Sequence, residues 1–173
     1  EEAMASEHRF AGTPCGIMDM YASAAAERDH ACLIDCARKT CTQVPLPESR
    51  ELKIVITDTG VRHTLSDGSY ADRRAACEES ARRLGVTTLS EISADDFDER
   101  SLPEPIRAKA KHVITEIERV DRFVEAMKAD DLPRAGEILS ESHRSLRDDF
   151  KVSCRELDHI VAVAESMEDS GIY

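Results

Sequence analysis

Gly12-Thr13-Pro14-Cys15-Gly16-Ile17-Met18-Asp19 is the stretch of this chain best equipped for chemistry. Two glycines and a proline bracket a turn, an apolar pair follows, and one carboxylate ends it. Glycine lets the backbone approach a ligand or adopt positive φ, and proline stiffens the entry to a turn. A carboxylate fixed just past such a turn can accept a proton from a hydroxyl as that oxygen attacks. The bland alternative for Asp19 is an acid in the first turn of a helix, favoured by the helix dipole. On local chemistry alone the helix acid is the preferred reading.

Other residue groups are weaker candidates. Arg62 and His63 follow an apolar run, where strand ends commonly carry function. Arg62 can be a surface arginine, or a partner that keeps Asp19 ionised. His63 reads as structural. The stretch Glu141–Asp158 is rich in Ser, His, Arg and Asp. His143 and Arg147 are four residues apart, as are Arg144 and Asp148, so each pair shares a helix face. That spacing favours helix-surface pairs and polar packing over a Ser-His-Asp nucleophile. Asp95-Asp96-Phe97-Asp98-Glu99 lacks the ligand spacing and central glycine of a calcium loop. The cysteines are Cys15, Cys32, Cys36, Cys41, Cys77 and Cys154. No two form a CxxC, and the loose spacing of Cys32, Cys36 and Cys41 without paired histidines argues against zinc. Cys32 and Cys36 share a strand face as small core residues. No metal site is assigned.

These residues need elements to position them. Met18 to about Ala26 reads as an Ala-rich helix, Ala31–Cys36 and Thr42–Val44 as two strands. Pro45, Pro47 and Glu48-Ser49 read as a linker. Leu52–Thr57 is near-continuously apolar, the pattern of a strand buried on both faces. Tyr70–Leu84 reads as a helix closed by Gly85. Ser101-Leu102-Pro103-Glu104 reads as a capping box. It would open a helix with Ile106, Ala110, Val113, Ile114, Ile117, Val120, Phe123, Val124 and Met127 on one stripe. Asp131-Leu132-Pro133 starts the next helix, with Ala135, Ile138, Leu139, Leu146 and Phe150 inward. Ser153-Cys154-Arg155-Glu156 reads as a second box before a helix carrying Leu157, Ile160, Val161, Val163 and Ala164. The expected fold class is α+β. Residues 1–48 would form one α/β portion, and 49–173 a helix-rich second domain.

Composition agrees with a helix-rich chain. Of 173 residues, 41% are hydrophobic and 34% charged, aromatics are 4%, and Trp is absent. The core must therefore rest on Ala, Leu, Ile and Val. A net charge of −12 argues against a nucleic-acid partner, whose phosphates need clustered Lys and Arg. No apolar run approaches the about 20 residues of a membrane helix. Unpaired cysteines with no leader-like segment point to a cytoplasmic setting.

The turn ending at Asp19 resembles the signature of galactokinases, sugar kinases of the GHMP family. Further blocks resemble that family in its own order. They include His30-Ala31-Cys32-Leu33-Ile34-Asp35-Cys36, Val61-Arg62-His63-Thr64-Leu65 with Tyr70, Arg107-Ala108-Lys109-Ala110-Lys111-His112-Val113, and Glu141 to Asp158. The resemblance implies the GHMP-kinase fold, with an N-terminal α/β domain and a C-terminal domain of helices on an antiparallel sheet. It implies phosphoryl transfer from ATP to the C1 hydroxyl of galactose, with Mg²⁺. Asp19 would be the base, assisted by Arg62, and Gly16 and Tyr70 would contact the sugar. Kinases for N-acetylgalactosamine or arabinose, and a galactose sensor without transfer, are the alternatives. Two departures flank the site: Met20 where the family has Gln, and Asp58-Thr59-Gly60 for an Asn-Ser-Asn-like segment. The family's N-terminal sugar motif, its phosphate loop and its glycine-rich C-terminal segment have no counterpart here. An internal segment, inactive alone, with its ATP-binding residues unassigned, is therefore the expectation. Oligomeric state is left open.

Overall fold

A computed structural model describes residues 2–11, 15–47, 53–61, 69–167 and 171–172. The chain divides into two compact units, Glu1–Leu52 and Lys53–Tyr173.

In the first unit, a short helix α1 (Glu2–Ser6) runs into a π turn (Glu7–Ala11). Helix α2 (Met18–Ala25) follows and ends where Ala26 turns extended, with φ −62° and ψ 133°. Strands β1 (His30–Asp35) and β2 (Thr40–Pro45) form an antiparallel hairpin, with Cys32 opposite Gln43 and Ile34 opposite Cys41. Asp35 fixes its turn, taking the Arg38 backbone N–H and guanidinium at 2.8 Å each. Lys39 completes the turn at φ 55°. Two side chains bind α2 to the hairpin: the Tyr21 hydroxyl donates to the Lys39 carbonyl at 2.6 Å, and Gln43 Nε2 to the Ala25 carbonyl at 2.6 Å. Cys32 is half-buried, whereas Cys36 lies past the end of β1 and is exposed, so it is no core residue.

The second unit is helical. Residues 53–61 form no regular element and join no ladder among the described residues. Ile54, Val55 and Ile56 are 76%, 82% and 92% exposed. The buried strand expected at Leu52–Thr57 is thus not formed over its described part: a strand buried on both faces needs neighbours, and no described strand lies beside this one.

Helix α3 (Ser69–Leu84) closes as the sequence suggests. Gly85 takes φ +74°, and Val86 N–H reaches back to the Ala81 carbonyl at 3.0 Å, a Schellman closure that needs a left-handed residue. The connection to α4 (Ile106–Lys128) feeds Leu89 and Leu102 into a core with Ala81, Ala110 and Ile114. The Ser101 capping box does not form. The Ser101 hydroxyl turns back to the Asp98 carbonyl at 2.6 Å, and Asp98 already caps a single 3₁₀ turn at Arg100 N–H. Helix α4 starts later, after Pro105, without a side-chain cap. The start-signal that does form was unread: Glu91 accepts from the backbone N–H groups of Thr87 and Thr88 at 2.9 and 2.8 Å.

Helix α5 (Leu132–Ser145) starts as expected, with the Asp131 carboxylate accepting from Arg134 N–H at 3.1 Å and Pro133 in the first turn. Ala135 and Ile138 pack with Ala126, Phe123 and Met127 in a second core cluster. Leu139 is half-exposed, as are Ile117 and Val120 of the α4 stripe. The chain continues into a π turn, Leu146–Phe150, stopped by Lys151 at φ 60° and ψ 49°. Two cations from earlier helices cap it. Lys109 Nζ donates to the Asp149 carbonyl at 2.8 Å and Arg73 to the Lys151 carbonyl at 3.3 Å, and both lie 5.9 Å from the Phe150 ring centre. Cations at a helix C-terminus satisfy its last carbonyls and its dipole. Helix α6 (Arg155–Glu165) ends the fold. Its expected Ser153 box is replaced by a bond from the Ser153 hydroxyl to Asp158 Oδ1 at 2.6 Å.

Candidate active site

Asp19 is the second residue of α2, one turn past Gly16, and both are exposed. The helix has no side-chain cap at Ile17, whose carbonyl accepts from Tyr21 N–H at 3.0 Å. Its first-turn N–H groups are thus left without a side-chain acceptor at the cap. The helix does not float. Tyr21 holds it against the hairpin at its middle and Gln43 at its C-terminal end, and His8 Nε2 meets the Cys15 carbonyl at 2.8 Å one residue before Gly16. The hairpin thus anchors the short helix that carries Asp19.

The remaining candidates fall elsewhere. Tyr70 is the second residue of α3 in the other unit, and is 51% exposed. Gly12, Thr13, Pro14, Arg62 and His63 lie outside the described residues. Asp58-Thr59-Gly60 forms a small polar turn, with Gly60 N–H on Asp58 Oδ1 at 2.8 Å and Gly60 at φ +72°.

The Glu141–Asp158 block is a packing device. Asp158 Oδ1 takes His143 Nε2 at 3.0 Å and the Ser153 hydroxyl at 2.6 Å. The carboxylate sits between serine and histidine, so no imidazole faces the hydroxyl, which a Ser-His-Asp triad requires. The Ser153 bond first, then His143, holds the Asp158 carboxyl below its ordinary range. Neither expected helix pair forms, since Arg147 binds Asp148 and Arg144 binds Glu165.

Sequence reasoning missed a buried polar face on α4. His112 is 5% exposed, stacks on Phe150 with ring centres 4.5 Å apart, and meets the Ser145 hydroxyl at 2.9 Å. The Ser145 hydroxyl in turn donates a hydrogen bond to Asp149 Oδ2 at 3.2 Å. Burial pushes the His112 imidazole below its ordinary pKa. Seven residues on, Arg119 is satisfied by Glu116 and Thr115, and Glu116 also takes the Ser142 hydroxyl. The signal was present: 112, 115, 116 and 119 recur at helical spacing beside the apolar stripe. Arg119, Glu141, Arg144, Ser145, Asp148 and Asp149 line a shallow hollow of about 300 Å³. Arg119, Glu141, Arg144 and Asp148 are each paired with a charge outside the hollow, Glu116, Arg122, Glu165 and Arg147, which marks structure rather than a reaction centre.

Among the described residues no group of three His, Cys, Asp or Glu side chains could hold a metal ion, and no helix is long and apolar enough to cross a membrane.

A kinase of the GHMP fold is the class that this order of elements matches. The chain superposes on Lactococcus lactis galactokinase complexed with galactose with a TM-score of 0.86 and 30% identity, over 92% of this chain and 43% of that one. In sequence it is 42% identical to human galactokinase over 171 residues, 97% of this chain and 43% of that protein. It is 38% identical to the galactokinase of Roseiflexus over 172 residues, 95% of this chain and 44% of the other. No protein-family model matches it. The chain spans less than half the length of these relatives, and it fits part of a galactokinase.

Proposed function

We propose that the protein containing these residues phosphorylates the C1 hydroxyl of α-D-galactose with ATP, giving galactose 1-phosphate and ADP. The supporting observation is the match to galactokinases along 97% of the chain, which carries the Asp19 turn with it. In this reading Asp19 accepts the hydroxyl proton as the oxygen forms its bond to the γ-phosphorus and the bond to the ADP oxygen breaks. The proton then leaves to solvent. Gly16 offers backbone without a side chain, so the sugar can come close to α2. Tyr70 hydrogen-bonds a sugar hydroxyl, and Arg62 is a second catalytic residue. Residues 1–48 belong to the N-terminal kinase domain and 49–173 to the C-terminal one.

Mg²⁺ accompanies ATP in such transfers and neutralises phosphate charge. The described residues hold no set of three ligands for it, so no step here runs through the ion. This segment supplies the sugar side of the reaction. A cytoplasmic setting suits the unpaired cysteines.

The test is an assay of the whole protein with ATP and, separately, galactose, N-acetylgalactosamine and arabinose. Formation of ADP and galactose 1-phosphate is the expected result. Turnover of another sugar but not galactose would reassign the substrate, and galactose binding without turnover would make the protein a sensor.

A further inference from the structure

Strands β1 and β2 bring two cysteines together that sequence spacing keeps nine positions apart. Cys41 faces Ile34 and Cys32 faces Gln43. The two thiols are therefore diagonal neighbours on one face of the hairpin, since side chains two positions apart along a strand share a face. Gln43 touches both: the Cys32 thiol donates to its Oε1 at 3.7 Å, and its Nε2 donates to Cys41 Sγ at 3.8 Å. The carboxamide cannot turn away, because the same Nε2 is held by the Ala25 carbonyl at 2.6 Å. Both cysteines are half-buried and free. Partial burial, then the adjacent Cys32 thiol, push the Cys41 thiol up from its ordinary value, and the negative charge of Glu27 acts in the same direction. That charge also favours a cation at the pair.

Two adjacent sulfurs with no third His, Cys, Asp or Glu ligand among the described residues are too few for tetrahedral zinc. They suit a soft ion content with two donors. We propose that Cys32 and Cys41 form a binding site for a soft monovalent metal ion of the cuprous type, held between the two sulfurs. Thiolate ligands select such ions over hard ones. Binding is a ligand exchange without redox change: each S–H bond breaks, two S–metal bonds form, and two protons go to the buffer. Gln43 is the positioning residue that holds both sulfurs on one side of the hairpin. The site is independent of the sugar chemistry assigned to Asp19.

The experiment uses the full chain, reduced and free of oxygen, titrated with cuprous ion alone against a competing chelator. One ion per chain is expected. It should protect Cys32 and Cys41 from alkylation by iodoacetamide, while Cys36 still reacts. C32S and C41S should each weaken binding by about 100-fold, because the second donor then no longer acts from within the same chain. C36S should leave it unchanged. Protection of a different cysteine, or unaltered affinity in C32S and C41S, would overturn the proposal. The protection pattern is read on the unaltered chain, so the outcome stands even if a variant folds poorly.

Discussion

His143 and Asp158 stand 3.0 Å apart across the join of α5 and α6, and that contact ties the last helix to the one before it. Few apolar contacts do this work there, since Leu157 and Val163 are both well exposed. Asp158 carries a carboxyl held below its ordinary value of 3.8 by Ser153 and His143. Its stabilising effect is therefore fully present above that value and is lost as pH falls through the lower, folded value. Asp158→Asn should be less stable than the parent at neutral pH. Thermal unfolding at a series of pH values should show the gap closing in the acid range below about pH 4. A gap that stays constant with pH would mean the carboxylate charge contributes nothing.

Asp19→Asn keeps the size and shape of the side chain and removes the proton acceptor. In the whole protein kcat should fall by about 10²–10⁴-fold, the range of general-base contributions, with galactose affinity little changed. Wild-type kcat in a steady-state assay would dismiss Asp19 as the base.

Ile138 is 2% exposed and fills the cluster with Ala126 and Ala135. Ile138→Ala should cost about 2–5 kcal/mol in chemical denaturation, the sum of lost transfer energy and a cavity. Leu139, one residue on and 50% exposed, should tolerate Ala at about 1 kcal/mol or less.

Ser145→Ala removes the hydrogen-bond partner of a buried imidazole. The loss should be about 1–3 kcal/mol, the cost of an unsatisfied buried polar group. The parent chain should also lose stability as pH falls below 6.5, the ordinary value of His112, because the unfolded chain takes up a proton that the buried ring refuses until lower pH. His112→Gln should flatten that part of a stability-versus-pH curve.

Local signals with one physical outcome were legible in the sequence. Gly85 had to end a helix, and Asp131-Leu132-Pro133 had to start one. The alternation around β1 and β2 gave the hairpin to within about two residues. What failed was competition between equals. Ser101 had a capping box available, yet Asp98 captured the nearer turn. Ser153 could bond its own helix, but Asp158 offered a charged acceptor. The buried face through His112 and Arg119 was not singled out, because polar residues at helical spacing do not announce burial. They are buried because Ser145, Asp149, Glu116 and Thr115 satisfy them. At the candidate site, Asp19, Gly16 and Tyr70 were singled out by family resemblance. Chain geometry adds the anchoring of α2 by Tyr21 and Gln43, which no local pattern announced.

The open stretch Ile54-Val55-Ile56 has a practical consequence for handling these residues. Three consecutive exposed β-branched side chains that join no ladder among the described residues form an adhesive template for strand addition from another molecule. Self-association in concentrated solution should begin there, and light scattering should fall when Val55 is replaced by lysine, the charge that natural sheet edges use as a guard.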